Sequence, residues 1–93
     1  MNKNIQTFNN WALNDKDIIM QKNHTKSVNQ MINIIKNNFD ILNKPFNFLD
    51  IGCGNGWVVR QFSKMNYCNY SEGIDGSTNM IKKAQTKSSD KFK

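Results

Sequence analysis

Three glycines that follow a short apolar run are the residues best placed to do chemistry. Gly52, Gly54 and Gly56 come directly after the run at positions 46–51. Because glycine has no Cβ, such a segment can turn tightly and bring its backbone close to a ligand. A helix that begins after the loop directs free N–H groups and the positive end of its dipole to the same place. The spacing therefore predicts a loop that holds a ligand through its backbone.

An acidic residue follows at a distance that suits the same ligand. Asp75 lies nineteen positions beyond Gly56, at the end of a second and weaker apolar run. If both runs are parallel strands, their carboxyl ends meet at one edge of a sheet, where α/β proteins bind ligands. A carboxylate there suits the 2′ and 3′ hydroxyls of a ribose. The alternative, a residue that only starts a helix, is less favoured because Ser77 is available as the N-cap. The pattern predicts a nucleoside-containing ligand.

The elements that must position these residues follow from apolar periodicity. Positions 46–51 predict a buried strand, and Tyr70 to Asp75 a second, weaker one. Apolar residues three and four apart predict a helix after each strand: Val58, Val59, Phe62 and Met65 in the first, and Met80, Ile81 and Ala84 in the second. The order strand, helix, strand, helix predicts an α/β fold with parallel strands.

Positions 1–45 are different in character and predict helices. A short leading helix carries Ile5, Phe8, Trp11 and Ala12, and a turn follows at positions 14–17. A stronger helix, with Thr25 or Ser27 as its N-cap, ends before Pro45. Its apolar stripe comprises Val28, Met31, Ile32, Ile35, Phe39 and Leu42.

Length and composition narrow the function classes. The chain has 93 residues, 38% of them hydrophobic, which allows one small domain at most. No run approaches the roughly 20 apolar residues of a membrane-spanning helix, and the first residues lack the apolar stretch of a secretory signal. The formal charge is +6, but every basic residue except Arg60 is a lysine and the lysines are dispersed. This favours a solvated surface over a nucleic-acid interface.

The cysteines argue against a structural metal site. Cys53 and Cys68 are fifteen positions apart, and His24 is the single histidine. These three residues fall short of the four ligands that a structural zinc ion takes. We interpret the cysteines as reduced thiols of a cytoplasmic protein, and we predict no metal.

The identity of the nucleoside ligand depends on the residue after the third glycine. A dinucleotide-binding loop has the pattern G-x-G-x-x-G, and Trp57 stands where its last glycine would be. A nicotinamide-dependent oxidoreductase is therefore the less favoured alternative. The segment from Leu49 to Trp57 instead resembles the first motif of the class I S-adenosylmethionine-dependent methyltransferases. The segment from Glu72 to Ala84 resembles the part that carries that family's ribose-binding acid. The resemblance covers residues 46–85.

The resemblance implies an incomplete Rossmann-like methyltransferase fold, S-adenosylmethionine as cofactor, and a set of cofactor-binding residues. Asp50 would orient the loop and reach the methionine ammonium, or else cap loop amides. Asp75 would hold the ribose hydroxyls. The other implied contacts are Gly52, Cys53, Gly54 and Gly56 along the methionine and ribose, Gly76 and Met80 beside the adenine, and Trp57 as a shield.

Several of these residues have a simpler interpretation. Met80 would otherwise be a core residue, and Trp57 would only pack the first helix after the loop. Arg60 is interpreted either as a partner of the methionine carboxylate or as a surface ion pair. His24 is interpreted either as a contact to cofactor or substrate or as a capping or surface residue.

The resemblance also implies how the chain is divided into segments and which functional parts of the family's domain cannot be assigned to it. A whole domain of this family has seven strands, so we expect a helical cap segment at 1–45 and a truncated cofactor-binding α/β domain at 46–93. The methyl acceptor and any catalytic base are not readable. A non-catalytic fragment or association module is the alternative function. Two strands leave an uncovered sheet, so we expect either self-association or a C-terminal half that completes it.

Overall fold

The computed structural model describes residues 3–87. Two helices and a short 3-10 turn precede an alternation of strands and helices. The elements are α1 (Lys3–Leu13), α2 (Lys16–Asn38), the 3-10 turn (Ile41–Asn43), β1 (Phe46–Ile51), α3 (Trp57–Ser63), β2 (Cys68–Ile74) and α4 (Thr78–Gln85). The predicted fold class, helices followed by a β-α-β-α unit with parallel strands, is confirmed.

The two strands form a parallel sheet whose register brings both carboxyl ends to one edge. Phe48 pairs with Ser71, Asp50 with Gly73, and Ile51 with Ile74. Residues of β1 alternate between partly buried and exposed, as expected of a strand covered on one face. The glycine loop and Asp75 therefore leave the sheet side by side.

An aromatic stack joins α3 to the inner face of the sheet. The rings of Phe48 and Phe62 lie parallel with their centroids 3.9 Å apart, and Phe46 meets Phe62 edge-on. Ile32 of α2 and Leu42 pack into the same cluster. A second cluster joins α3 to α4 and comprises Cys53, Val59 and Ala84, with Phe48 and Ile81 against it. The helices that follow the strands thus cover one face of the sheet.

The outer face of the sheet is open. Leu49 is 53% exposed, Ile51 75% and Tyr70 47%. The pairing register places these side chains on the face opposite Phe48 and Ser71. Within residues 3–87, none of the helices combines the length and the apolarity that crossing a membrane requires.

The boundaries of α2 differ from those expected. The helix begins at Lys16, so neither Thr25 nor Ser27 is its N-cap, and that prediction was wrong. Thr25 lies in the helix interior, where its hydroxyl donates to the carbonyl of Gln21 at 2.7 Å. The apolar residues at the start of α2, Ile18, Ile19 and Met20, are consecutive and show no helical spacing. Tertiary hydrogen bonds accepted by Asp17 and Gln21 hold this part of the helix. At the other end α2 stops at Asn38, so Phe39 and Leu42 of the predicted stripe lie beyond the helix. Phe39 is 58% exposed, and its assignment to the buried stripe was wrong.

The remaining elements agree with the sequence except at their ends. β1 and the start of α4 lie where predicted, and the side chain of Ser77 caps α4 by accepting from the N–H of Met80 at 3.2 Å. Helix α3 ends at Ser63 and β2 already begins at Cys68. We expect from the sequence a polar tail at positions 87–93, of which residues 88–93 lie outside the described part of the chain.

Candidate functional site

The loop between β1 and α3 turns three times through left-handed backbone conformations. Gly52 has φ 79°, Gly54 56° and Gly56 83°. Residues with a Cβ rarely adopt such positive φ angles, so these positions favour glycine. The N–H groups of Gly52 and Cys53 donate to the carbonyl of Ile74 at 2.8 and 3.0 Å. The loop is thereby fastened to the end of β2.

Asp75 fastens the same loop from the side. Its Oδ2 accepts from the N–H of Gly54 at 2.8 Å, and its Oδ1 accepts from the N–H of Ser77 at 2.7 Å. Each carboxylate oxygen has two lone pairs. Asp75 therefore shapes the loop and keeps acceptor capacity for a ligand hydroxyl.

Two adjoining cavities flank the glycine loop and form one cleft. The first, of about 220 Å³, lies between α2 and the loop. The second, of about 300 Å³, lies between α1 and the turn from β2 into α4. Both are lined by Met20, Gly52, Gly54 and Met80. A Cβ added at Gly52 or Gly54 would meet no atom within 4 Å, so the backbone there faces open space.

The cleft brings together most of the residues singled out from the sequence. The first cavity is lined by Asp50, Cys53 and Trp57, and the second by Asp75 and Gly76. Gly56 lines neither cavity; it is the residue before α3, where the chain turns into the helix. Met80 is only 1% exposed, so it is a core residue whose side chain also forms part of the cleft wall.

Acidic groups dominate the electrostatics of the cleft floor. Burial raises the pKa of Asp50, and the nearby charge of Asp75 raises it further. Burial and the same two carboxylates raise the pKa of the Cys53 thiol to about 12. Ionising one acid here makes the next ionisation harder, because like charges share a partly buried space. A ligand with positive charge relieves this repulsion.

The two residues whose interpretation was left open, His24 and Arg60, lie on α2 and α3. His24 is exposed in the interior of α2, and its Nδ1 is 2.7 Å from the carbonyl oxygen of Met20. It lines the first cavity. Arg60 lies outside both cavities and donates from Nη1 to the carbonyl of Asn55 at 2.7 Å. Burial lowers the pKa of Arg60. The bond of Arg60 to a backbone carbonyl replaces the expected surface ion pair, and its contact with a ligand carboxylate stays a prediction.

Sequence reasoning missed the residues by which the N-terminal helices reach the cleft. Asp17 and Gln21 of α2 hydrogen-bond to the side chain of Asn55 in the loop. Met20 lines both cavities, and Ile5 and Phe8 of α1 line the second one. Local periodicity carries no signal for such contacts, because the partners are more than thirty residues apart in sequence.

Helix α1 is docked onto the start of α4. The Asn9 side chain accepts from the Ser77 hydroxyl, and also from the N–H of Asn79 at 3.1 Å. A Cβ on Gly76 would lie 3.2 Å from Cδ1 of Ile5. The absence of a side chain at Gly76 therefore lets α1 close over this end of the cleft.

Comparison with known proteins gives a family match over the C-terminal part of the chain. Residues 49–93 match the family described as "Methyltransferase domain". A solved structure, the complex between the Haloferax volcanii Trm112 methyltransferase activator and a presumed methyltransferase, contains a chain with the same fold. The match has a TM-score of 0.73 and 21% sequence identity, and it covers 91% of this chain. The present chain spans about a third of the length of that protein, 36%. No curated protein sequence matches.

Proposed function

We propose that this chain, which carries the N-terminal portion of a class I S-adenosylmethionine-dependent methyltransferase domain, binds S-adenosylmethionine in the cleft around the glycine loop. The observation that carries the proposal is the hydrogen bond between Asp75 and the Gly54 amide, with cavities on both sides of it. A nucleoside placed against Asp75 would continue along Gly52 and Gly54 into the cavity beside α2.

The residues of the cleft fit the parts of this cofactor. Gly52 and Gly54 leave open space where side chains would obstruct a ligand. The remaining lone pairs of Asp75 suit ribose hydroxyls, and the apolar walls formed by Met80, Ile5 and Phe8 suit an adenine ring. Asp50, whose pKa is raised by burial and by Asp75, would gain from a cationic amino group nearby. Cys53 and Trp57 would complete the wall of the methionine side, and Gly56 would direct the chain into α3.

The proposed activity is methyl transfer to an acceptor that the chain does not identify. When bound, the cofactor supplies a methyl group activated by its sulfonium. The part of the domain described here would bind and orient the cofactor, and α1 and α2 would exclude water from it. We assign no catalytic base. Cys53 and Cys68 form no disulfide in the structure, which agrees with the cytoplasmic location that we propose.

The outer face of the sheet supports a further proposal about partners. Leu49, Ile51 and Tyr70 are exposed there, whereas both faces of a parallel sheet are usually covered. We propose that more polypeptide covers this face, either a second copy or further sequence of the same domain. The structural neighbour was solved with an activator protein, which makes a separate protein the third option. Sedimentation of the protein alone, and with Ile51→Lys, separates a self-associating face from the other two.

A thermal-shift comparison tests the proposed ligand. S-adenosylhomocysteine, the demethylated product, should raise the melting temperature in a concentration-dependent way, because it binds the folded state alone. NADH at the same concentrations should leave it unchanged. Stabilisation by NADH and not by S-adenosylhomocysteine would instead favour a nicotinamide-dependent enzyme.

A further inference from the structure

A buried carboxylate at the start of α2 is bonded directly to the glycine loop. Asp17 is 2% exposed. Burying a charged group is unfavourable unless it is paired and hydrogen-bonded. Both oxygens of Asp17 are engaged: Oδ2 accepts from Nδ2 of Asn55 at 2.8 Å, and Oδ1 accepts from Nζ of Lys83 at 2.7 Å. The carboxylate thus joins α2 to the loop and to α4.

The other end of this contact has a fixed orientation. The Asn55 Nδ2 group also donates to Oε1 of Gln21 at 3.0 Å, and its Oδ1 accepts from the N–H of Trp57 at 3.2 Å. Reversing the Asn55 amide would direct its oxygen at the Asp17 carboxylate and its NH2 group at the Trp57 N–H. Both contacts would become repulsive, so the acid on α2 determines how Asn55 sits.

Because Asn55 lies within the glycine loop, the orientation of its side chain affects the backbone of that loop. Asn55 lies between Gly54 and Gly56, both in left-handed conformations, and Gly54 bonds to Asp75. Rotating or releasing Asn55 therefore changes the backbone that faces the cleft. We propose that Asp17 is a positioning residue, which sets the conformation of the glycine loop through Asn55. Cofactor binding then depends on the docking of α2. This second statement rests on the proposed function; the first does not.

Exchanging the side chains of Asp17 and Asn55 tests the proposal. The exchange keeps a hydrogen bond between positions 17 and 55 but moves the negative charge from α2 to the loop. In Asp17→Asn, the single amide oxygen can accept from Asn55 or from Lys83 but not from both, and the new NH2 group faces the other donor. In Asn55→Asp, two carboxylates face each other. In the double exchange, the amide introduced on α2 donates to the carboxylate introduced in the loop, and its oxygen accepts from Lys83. The loop carboxylate still accepts from the Trp57 N–H, and Gln21 turns its amide to donate.

Two measurements on these variants are needed. Each single variant should bind S-adenosylhomocysteine at least about tenfold more weakly than the wild type, and the double exchange should recover to within about threefold. Amide hydrogen exchange at Trp57 should follow the same order without any ligand, faster in each single variant and restored in the double exchange. If Asp17 only stabilised the fold, the double exchange would not restore both the affinity for S-adenosylhomocysteine and the slow amide exchange at Trp57.

The matched control is Asp15→Asn. Asp15 also accepts from Lys83, at 2.6 Å, but it is exposed and lines neither cavity. This variant should match the wild type in both measurements. If a single variant does not fold, the double exchange is compared directly with the wild type. The proposal requires the double exchange to fold and to bind S-adenosylhomocysteine.

The outcomes separate the two proposals. If the wild type does not bind S-adenosylhomocysteine, the proposed function fails, and Trp57 exchange alone decides the positioning role. If Asp17→Asn matches the wild type in both readings, the positioning role is overturned. A double exchange that behaves like the single variants, or fails to fold, overturns it as well.

Discussion

The Asp75 carboxylate and the Gly54 N–H are joined by a 2.8 Å hydrogen bond across the ends of the two parallel strands. The residues are 21 positions apart, and the bond places an acid beside a loop whose glycines face open space. One residue thereby fixes the loop and faces the part of the cleft where we propose that a nucleoside binds. We therefore expect substitution of Asp75 to change both ligand affinity and the stability of the loop.

Asp75→Asn should weaken binding of S-adenosylhomocysteine by about 10- to 100-fold, because hydrogen bonds to a charged group contribute about 1.5–3 kcal/mol. Calorimetry with the cofactor product and with its 2′-deoxy analogue measures this. The wild type should prefer the ribose form, and the variant should lose most of that preference. Glu72→Gln makes the same chemical change in β2 outside the cleft lining and should leave affinity unchanged. An undiminished preference in Asp75→Asn would contradict the ribose contact.

Gly54→Ala should lower the free energy of unfolding by about 1–2 kcal/mol, because the residue has φ 56° and a Cβ is unfavourable there. No atom lies within 4 Å of the added Cβ, so the loss comes from the backbone and not from a clash. Gly54→Asn should lose less, since asparagine tolerates this conformation. Urea denaturation measures both variants. Equal losses for alanine and asparagine would count against backbone strain as the cause.

Gly76→Ala should destabilise through a different mechanism. The added Cβ would lie 3.2 Å from Cδ1 of Ile5, so α1 or the Ile5 side chain must shift. Because that atom is the end of a flexible side chain, we expect a loss of about 0.5–1 kcal/mol. Ile5→Val removes the contacting methyl group and should abolish the additional loss in a double-mutant cycle. Strict additivity of the two substitutions would show that α1 does not pack on Gly76 in solution.

Asp50→Asn should stabilise the ligand-free protein at neutral pH. Burial, and secondarily Asp75, raise the pKa of Asp50, so the folded state holds this proton more tightly than the unfolded state does. The ionised carboxylate therefore lowers stability above the raised pKa, and this penalty disappears as the pH falls through it. Urea denaturation at several pH values should show an advantage of the variant at neutral pH that shrinks in acid. The same variant should bind S-adenosylhomocysteine more weakly. Lower stability than the wild type at neutral pH would contradict a destabilising charge at Asp50.

Cys53 should react with iodoacetamide far more slowly than Cys68. Its pKa is raised to about 12 and its side chain is buried, so only about one molecule in 10,000 carries the thiolate at pH 8. Cys68 is partly exposed. Mass spectrometry of the wild type and of Cys68→Ser gives the two rates. Equal rates at the two positions would show that the loop does not shield Cys53.

The part of the fold that the sequence predicted is the part governed by local rules. The apolar run of β1 and the capping serine at Ser77 are each contained in a few adjacent residues, and both were predicted correctly. The start of α2 was missed because tertiary contacts stabilise its first turn, such as the one between Asp17 and Asn55. The spacing of apolar residues cannot indicate that a charged residue such as Asp17 is buried and stabilises the start of a helix.

The residues of the candidate site likewise fall into some that local sequence patterns predict and others that depend on tertiary contacts. Gly54 and Asp75 could be paired from sequence because parallel strands place their carboxyl ends together. The resemblance implied a helical cap at positions 1–45, but not which of its side chains reach the cleft. Side chains such as Ile5 and Met20 line it together with residues far away in sequence. His24 lies within α2 and lines the first cavity, and its contact with a cofactor or substrate stays a prediction.

Amide NMR during titration with S-adenosylhomocysteine tests the central claim most directly, because it reports both binding and location. We predict saturable shifts that are largest at Gly52, Gly54 and Gly76, with no comparable shifts during titration with NADH. Saturable shifts with NADH alone, or shifts that avoid the glycine loop, would contradict the claim that this cleft binds S-adenosylmethionine.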